Sequence, residues 1–352
     1  MSTNNHSHYY PTLDIWKYIC NILVLVIHTF PMEFNYWLDG ATGVVTRLAN
    51  PSFFTISGFL LFDRIIQKPE ESEKIVVKQI KRIFILYLLW SIFYYTIMLP
   101  ENIENGNASS INYWIKTFFL KGSVHYFWFF PALIIGIGIT YLLYKTRISP
   151  SKIAIIGIIA LFIGCIFSTY KSLFMGISTF NTVYVYFFKY ITAKNGIFFG
   201  FPYISLGCYF ANKNIHNDFS HDNNAKKRYL VVAFLFMAML GCESLLVTKL
   251  LNPTETYLWL SVYPMVFYTI SFLLSCSLNK GKDLRILGKI SSFTYAFQYV
   301  PITYTNKLFD ILGFHAWYRG IILLILSIII CNFVALIIIR LSNKVKVLKY
   351  IY

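Results

Sequence analysis

The stretch Gly320-Ile-Ile-Leu-Leu-Ile-Leu-Ser-Ile-Ile-Ile-Cys-Asn-Phe-Val-Ala-Leu-Ile-Ile-Ile-Arg340-Leu341 carries no charged side chain from Gly320 to Ile339. A helix rises about 1.5 Å per residue, so about 20 such residues cross the hydrocarbon of a bilayer. Working back from this segment, nine more apolar stretches of similar length occur, near 13–32, 45–64, 80–99, 125–144, 153–170, 196–212, 229–249, 257–278 and 286–306. An aromatic stretch at 173–190 contains Lys189 and a polar run, and it reads better as a long external loop. The sequence therefore predicts an all-α integral membrane protein of about ten transmembrane helices. Composition excludes the soluble alternatives. Of 352 residues, 57% are hydrophobic and 13% charged, against about 25% charged in soluble domains. Too few polar side chains remain to coat separate water-soluble cores, and 19% aromatic residues exclude intrinsic disorder.

The net charge of +16 raises the question of nucleic acid, and the position of the charges answers it. Loops at 64–82, 145–152, 213–228 and 279–289, with the tail from 340, hold 21 Lys and Arg; the alternate loops hold 9. Cationic loops stay in the cytoplasm, so both termini are expected there, and the charge needs no nucleic-acid partner. The expected organisation is a polar cytoplasmic segment at 1–12, a transmembrane domain at 13–341 and a basic cytoplasmic tail at 342–352. Residues 1–12 carry no Lys or Arg, unlike the start of a cleaved signal peptide. The six cysteines stand singly in apolar segments, without a C-x-x-C pair; they read as buried thiols, and no metal site is expected.

The first span departs from lipid chemistry along one line. At about 100° per residue, Asp14, Lys17, Asn21 and His28 fall within an arc of about 60°. Such a stripe faces a polar cavity. Lys17 alone could snorkel to the cytoplasmic headgroups, with Asp14 as its neighbour. His28 lies about 16 Å further along the axis, and an ionisable residue inside a membrane is by default a functional one. Its ordinary pKa lets it take up and return a proton near neutral pH. Glu243, in Met239-Leu-Gly-Cys-Glu243-Ser244, is the other unusual charge. A structural ion pair with Arg47 or another cation competes there with a role in handling an acceptor or a proton. Ser57 lacks a G-x-S-x-G elbow and reads as a small residue at a helix contact.

These residues carry a family resemblance. Lys17-x10-His28 resembles the basic-x10-His signature of the membrane-bound acyltransferase-3 family, the O-acyltransferases of bacterial surface molecules. Arg47-Leu-Ala-Asn-Pro-Ser-Phe53-Phe54-Thr-Ile-Ser57-Gly58 resembles its second-helix motif, and His125-Tyr-Phe-Trp128-Phe-Phe-Pro131-Ala-Leu its His-x-Trp-x-x-Pro-Ala-Leu segment. Lys194-Asn195-Gly196-Ile-Phe198 and Leu287-Gly288-Lys289-Ile-Ser291-Ser292-Phe-Thr-Tyr295 are similar to two later motifs. The resemblance runs over nearly the whole chain and is strongest to the branch that includes the membrane domain of vancomycin-resistance serine racemases. Departures are Lys at 17 and 194 where Arg is commoner, Gln298 where a His is frequent, and one extra residue between His125 and Trp128.

The resemblance implies transfer of an acyl group, usually acetyl, from cytoplasmic acetyl-CoA to a hydroxyl of an extracytoplasmic glycan or lipid-linked envelope acceptor, in the bacterial cytoplasmic membrane. His28 is then the base or acyl-carrying residue. Lys17, Asp14, Asn21 and Arg47 are expected at the donor. Trp128, His125, Asn195 and Glu243 are candidates for the acceptor or for supporting the histidine. Acetyl-CoA is a co-substrate, and no tightly bound cofactor is expected. Two other readings use the same residues: a transporter of a small polar solute such as serine, and a non-catalytic envelope scaffold.

Overall fold

The computed structural model describes residues 9–29, 43–106, 110–188, 193–215, 222–253, 256–276, 283–316 and 318–352. Among the described residues every regular element is helical. The principal helices are α1 (Pro11–Thr29), α2 (Ala49–Gln67), α3 (Ser72–Glu104), α4 (Phe129–Lys145), α5 (Pro150–Ile166), α6 (Phe201–Ile215), α7 (Asn223–Leu251), α8 (Val262–Ser275), α9 (Arg285–Phe297), α10 (Tyr299–Ile311) and α11 (Arg319–Leu341). Their ends follow local chemistry. Pro150 sits in the first turn of α5, where its missing N–H costs nothing. Asn252 ends α7 in the left-handed conformation, φ 40° and ψ 58°.

Each of the ten apolar stretches contains a helix, but their lengths differ. Four helical segments are long and apolar enough to cross a membrane: Pro11–Thr29, Pro69–Pro100, Asn223–Leu251 and Arg319–Leu341. Helices α4, α5 and α8 are apolar but shorter. The stretch at 286–306 divides at Gln298 into α9 and α10. Pro301 has no N–H to return to the Phe297 carbonyl, so one helical hydrogen bond is lost where the two helices meet. Among the described residues, the aromatic stretch at 173–190 holds the short helix Ser178–Val183 and a helical turn, Tyr184–Phe188.

The outer faces are the apolar ones. Ile155, Ile159 and Phe162 on α5, Phe234, Leu235 and Leu246 on α7, and Ile325, Ile329 and Phe333 on α11 are all exposed. A soluble protein would bury such contiguous faces; lipid does not penalise them. Inside, α2 and α6 approach so closely that a Cβ on Gly58 would lie 2.5 Å from the Ile204 carbonyl oxygen, and one on Gly207 2.3 Å from that of Thr55. Small residues let the backbones pack without side chains between them; Gly58 makes that contact, whereas Ser57, expected at a helix contact, lines a cavity on another side of α2. Helix α1 lies against α9 and α11. The Ser291 hydroxyl donates to the Lys17 carbonyl at 3.0 Å, and the Tyr18 hydroxyl donates to Asn332 Oδ1 at 3.1 Å.

Candidate active site

Helix α1 is the axis of the site, and a cavity opens at each of its ends. Its N-terminal half borders a cavity of about 570 Å³ shared with α2, α3 and α9. There Lys17 Nζ is 2.6 Å from Asp14 Oδ1, a charge-assisted contact one helical turn apart. Helix α9 passes directly over this pair: a Cβ on Gly288 would sit 2.7 Å from Asp14 Oδ1 and 3.3 Å from Lys17 Nζ. The cavity is lined by five cationic side chains (Lys17, Arg64, Arg82, Arg285 and Lys289) against two carboxylates, Asp14 and Asp63. Asp63 is further occupied, accepting from Gln67 Nε2 at 2.9 Å and from the Tyr10 hydroxyl at 3.3 Å. The balance is an open, positive basin.

The C-terminal half of α1 borders a second cavity, of about 360 Å³, lined by His28, Thr46, Arg47, His125, Tyr126, Trp128, Lys194, Thr256, Tyr257 and Trp259, among others. The His28 ring packs on Tyr126, centroids 3.8 Å apart and planes at 50°. The turn that carries His125, Tyr126 and Trp128 depends on Gly122 (φ +84°), where a Cβ would meet the Trp128 nitrogen at 2.3 Å. Lys194 Nζ lies over two rings, 5.0 Å from the centroid of Trp128 and 4.6 Å from that of Tyr257. Arg47 donates to the Thr256 carbonyl, and to its hydroxyl at 3.3 Å. Its guanidinium lies 5.4 Å from the Trp259 ring centroid.

One side chain belongs to both cavities. Tyr295 of α9 lines each of them. Its hydroxyl donates to the Tyr126 carbonyl at 2.8 Å, and its ring packs against Phe129 and Phe130 at 5.1 and 5.7 Å. These aromatics form the partition between the Lys17 end and the His28 end.

The structure regroups several residues expected at the site. Arg47, expected beside Lys17 at the donor, lines the His28 cavity instead, because it precedes α2 at the opposite end of that helix from Arg64. Asn21 faces neither cavity; it is 2% exposed, and its Oδ1 has no hydrogen-bond partner among the described residues. Asn195 caps the start of the helical segment leading into α6, its Oδ1 accepting from the Ile197 and Phe198 amides at 2.8 and 2.9 Å. Its work is to fix the backbone beside Lys194. Glu243 does not pair with Arg47. Its carboxylate accepts from the Tyr170 hydroxyl and from the Leu260 and Ser261 amides at 2.8 and 2.9 Å. It thereby caps the start of α8, where a negative charge complements the helix dipole. Glu33, close to His28 in sequence, lies outside the described residues. The sequence reading assigns no role to Lys194, Tyr126 or Tyr295, although all three stand within the family-like motifs. Among the described residues no group of three or more His, Cys, Asp or Glu is placed to share a metal ion.

Comparison with known proteins identifies the family. Residues 10–336 match the acyltransferase domain family, acyltransferase-3. An amino-acid racemase of Enterococcus faecalis is 29% identical over 246 residues, 68% of this chain and 32% of the relative. A second amino-acid racemase of that species is 24% identical over 352 residues, 96% of this chain and 47% of the relative. A serine/alanine racemase of Enterococcus gallinarum is 27% identical over 128 residues, 35% of this chain and 18% of the relative. The chain thus spans about half or less of the length of these curated relatives. No solved structure matches. With nearly its whole length matched, from the start of the Asp14–His28 stripe to the last long helix, the chain belongs to the acyltransferase-3 family.

Proposed function

We propose that the protein transfers an acyl group, in the first instance acetyl, from cytoplasmic acyl-CoA to a hydroxyl of an extracytoplasmic envelope acceptor such as a glycan or lipid-linked glycan. The observation that carries this reading is the pair of cavities on one polar helix face, cationic at Lys17 and histidine-bearing at His28, meeting at Tyr295. Membership of the acyltransferase-3 family supports the reaction class.

The two ends fall on opposite sides of the charge map. Arg64, Gln67, Gln79, Arg82, Arg285 and Lys289, which line the larger cavity, belong to the cation-rich loops at 64–82 and 279–289. Arg47, Lys194 and Thr256, which line the smaller one, belong to the cation-poor set. With about ten spans and cytoplasmic termini, the larger cavity faces the cytoplasm and meets the anionic phosphates of CoA. The smaller faces outward and meets the acceptor. The acyl-bearing arm of CoA then enters past Tyr295. His28 accepts the acceptor hydroxyl's proton as the new ester C–O bond forms; the thioester C–S bond breaks, and the proton finally neutralises the departing CoA thiolate. An acyl-histidine intermediate would divide the same balance into two steps.

The test is transfer of label from acetyl-CoA, supplied on the cytoplasmic side of membranes bearing the protein, to an external product. The curated relatives are named as racemases of amino acids, which leaves a second reading standing, uptake of a small amino acid through the same two cavities. Serine uptake without consumption of acetyl-CoA would select it.

A further inference from the structure

Among the described residues, the outer cavity holds two cations that no carboxylate answers. Arg47 is oriented by neutral groups only, the carbonyl and hydroxyl of Thr256 and the face of Trp259. Lys194 rests between the faces of Trp128 and Tyr257. Both line the same cavity as His28. Among the described residues no Asp or Glu lines this cavity. None of the ion pairs, Lys17–Asp14, Lys145–Glu73, Arg285–Asp283 and Arg319–Asp310, includes either cation.

Holding two like charges in a cavity walled by aromatic rings is unfavourable until an opposite charge enters. Cation–ring contacts soften that cost without neutralising it. A guanidinium fixed by Thr256 and an ammonium held over Trp128 and Tyr257 in the same cavity form a two-pronged grip suited to a phosphate or carboxylate. The catalytic imidazole stands at the same cavity, so a gripped anion would set the distance between His28 and the hydroxyl attached to it.

We propose that the outer cavity selects an anionic acceptor, a molecule bearing a phosphate or carboxylate close to the hydroxyl that receives the acyl group, with Arg47 and Lys194 holding the anion. This rests on the acyl-transfer reading and narrows its substrate class. The chemical balance is that of the ester-forming step above; the anion is bound and unchanged.

The experiment offers glucose, glucose 6-phosphate and glucuronic acid to the outside of right-side-out vesicles loaded with labelled acetyl-CoA. Charged hydrogen-bonded contacts of this kind carry about 10- to 100-fold in affinity. The two anionic sugars should exceed glucose in kcat/KM by at least about tenfold, and their order identifies the anion. Lys194→Gln should erase that preference and Lys194→Arg should keep it. Equal use of glucose overturns the proposal, as does a preference that survives both Lys194→Gln and Arg47→Gln. Cations serving only the reaction's developing oxyanion would lower transfer to all three sugars alike, which also overturns it. Thermal melting of the solubilised protein with glucose 6-phosphate or glucose provides a readout independent of transfer, since a bound ligand raises the melting temperature. Stabilisation by the anionic sugar alone, lost in Lys194→Gln, with no sugar acetylated, would sink the acyl-transfer reading and leave the anion site standing. Absence of both stabilisation and anionic preference overturns the site itself.

Discussion

Lys17 and Lys194 are both lysines on the rim of a cavity, yet the protein holds them in opposite ways. Lys17 lies 2.6 Å from the Asp14 carboxylate, in a wide basin where cations outnumber acids but acids are present. Lys194 has ring faces for neighbours, in a smaller cavity without a carboxylate among its described walls. The first arrangement suits a soluble, highly charged ligand that must arrive and leave, since the basin is wide and its charge is partly compensated. The second suits a site where one group is held in register against a reactive imidazole, because a drier environment strengthens each remaining electrostatic contact. On the proposed function, opposite ends of one helix would divide the work of binding and of chemistry.

That comparison depends on sidedness, and the largest expected effect tests it. In a Cys242→Ser background, an impermeant thiol reagent added outside should label a cysteine placed at Asn105 and miss one placed at Asn223. These are exposed positions in a cation-poor and a cation-rich loop. The reverse pattern would exchange the roles of the two cavities and place His28 on the donor side.

Next in size is His28 itself. General-base catalysis contributes about 10² to 10⁴ in rate. His28→Gln preserves a hydrogen-bonding side chain but cannot cycle a proton, so transfer should fall to background with the protein at normal abundance. His125→Ala should cost less, about tenfold, because His125 is exposed on the rim whereas His28 packs on Tyr126 at the helix itself. Near-native turnover in His28→Gln would make the imidazole structural and move the serine-uptake reading ahead.

The Lys17 end should respond in KM instead. Lys17→Ala is expected to raise KM for acetyl-CoA about tenfold with kcat little changed, and Lys17→Arg to restore most of it. Gly288→Ala should produce a smaller rise of the same kind, because its methyl group meets the Asp14 carboxylate and displaces the ion pair without removing it. A fall in kcat with KM unchanged would place Lys17 in the reacting region, dissolving the division between the two cavities.

Much of this division was legible in the sequence, and the limits have a physical origin. The stripe from Asp14 to His28 needs only helical periodicity, a local property, so its two ends could be read before any fold was known. The apolar stretches likewise located helices, since backbone groups in lipid have few other ways to be satisfied. What periodicity along one helix cannot give is which other helices stand beside each end. Arg47 was therefore grouped with Lys17 on charge alone, and Lys194, distant in the chain, was not grouped with His28. The break at Gln298 was hidden for a related reason: Pro301 signals a disturbance, but membrane helices absorb many prolines without dividing.

Glu243 carries the smallest expected effect on activity and the sharpest test of how the protein allocates its acids. Its carboxylate is committed to the Tyr170 hydroxyl and to the amides of Leu260 and Ser261 at the start of α8. Glu243→Gln retains one oxygen acceptor but introduces an NH2 group facing donors, and it loses the negative charge at the helix start. The cost should be about 1–3 kcal/mol of stability, read as a lower melting temperature. KM for acetyl-CoA and the rate of transfer by the folded protein should stay within about twofold of the parent, since Glu243 lines neither cavity. A variant that melts normally but transfers poorly would mean that a carboxylate serves the outer cavity after all. The contrast between a compensated basin at Lys17 and an uncompensated one at Lys194 would then be lost. The expected result, lower stability with transfer intact, keeps this acid in the scaffold and leaves Arg47 and Lys194 without a carboxylate among the described residues, as the proposed anionic acceptor requires.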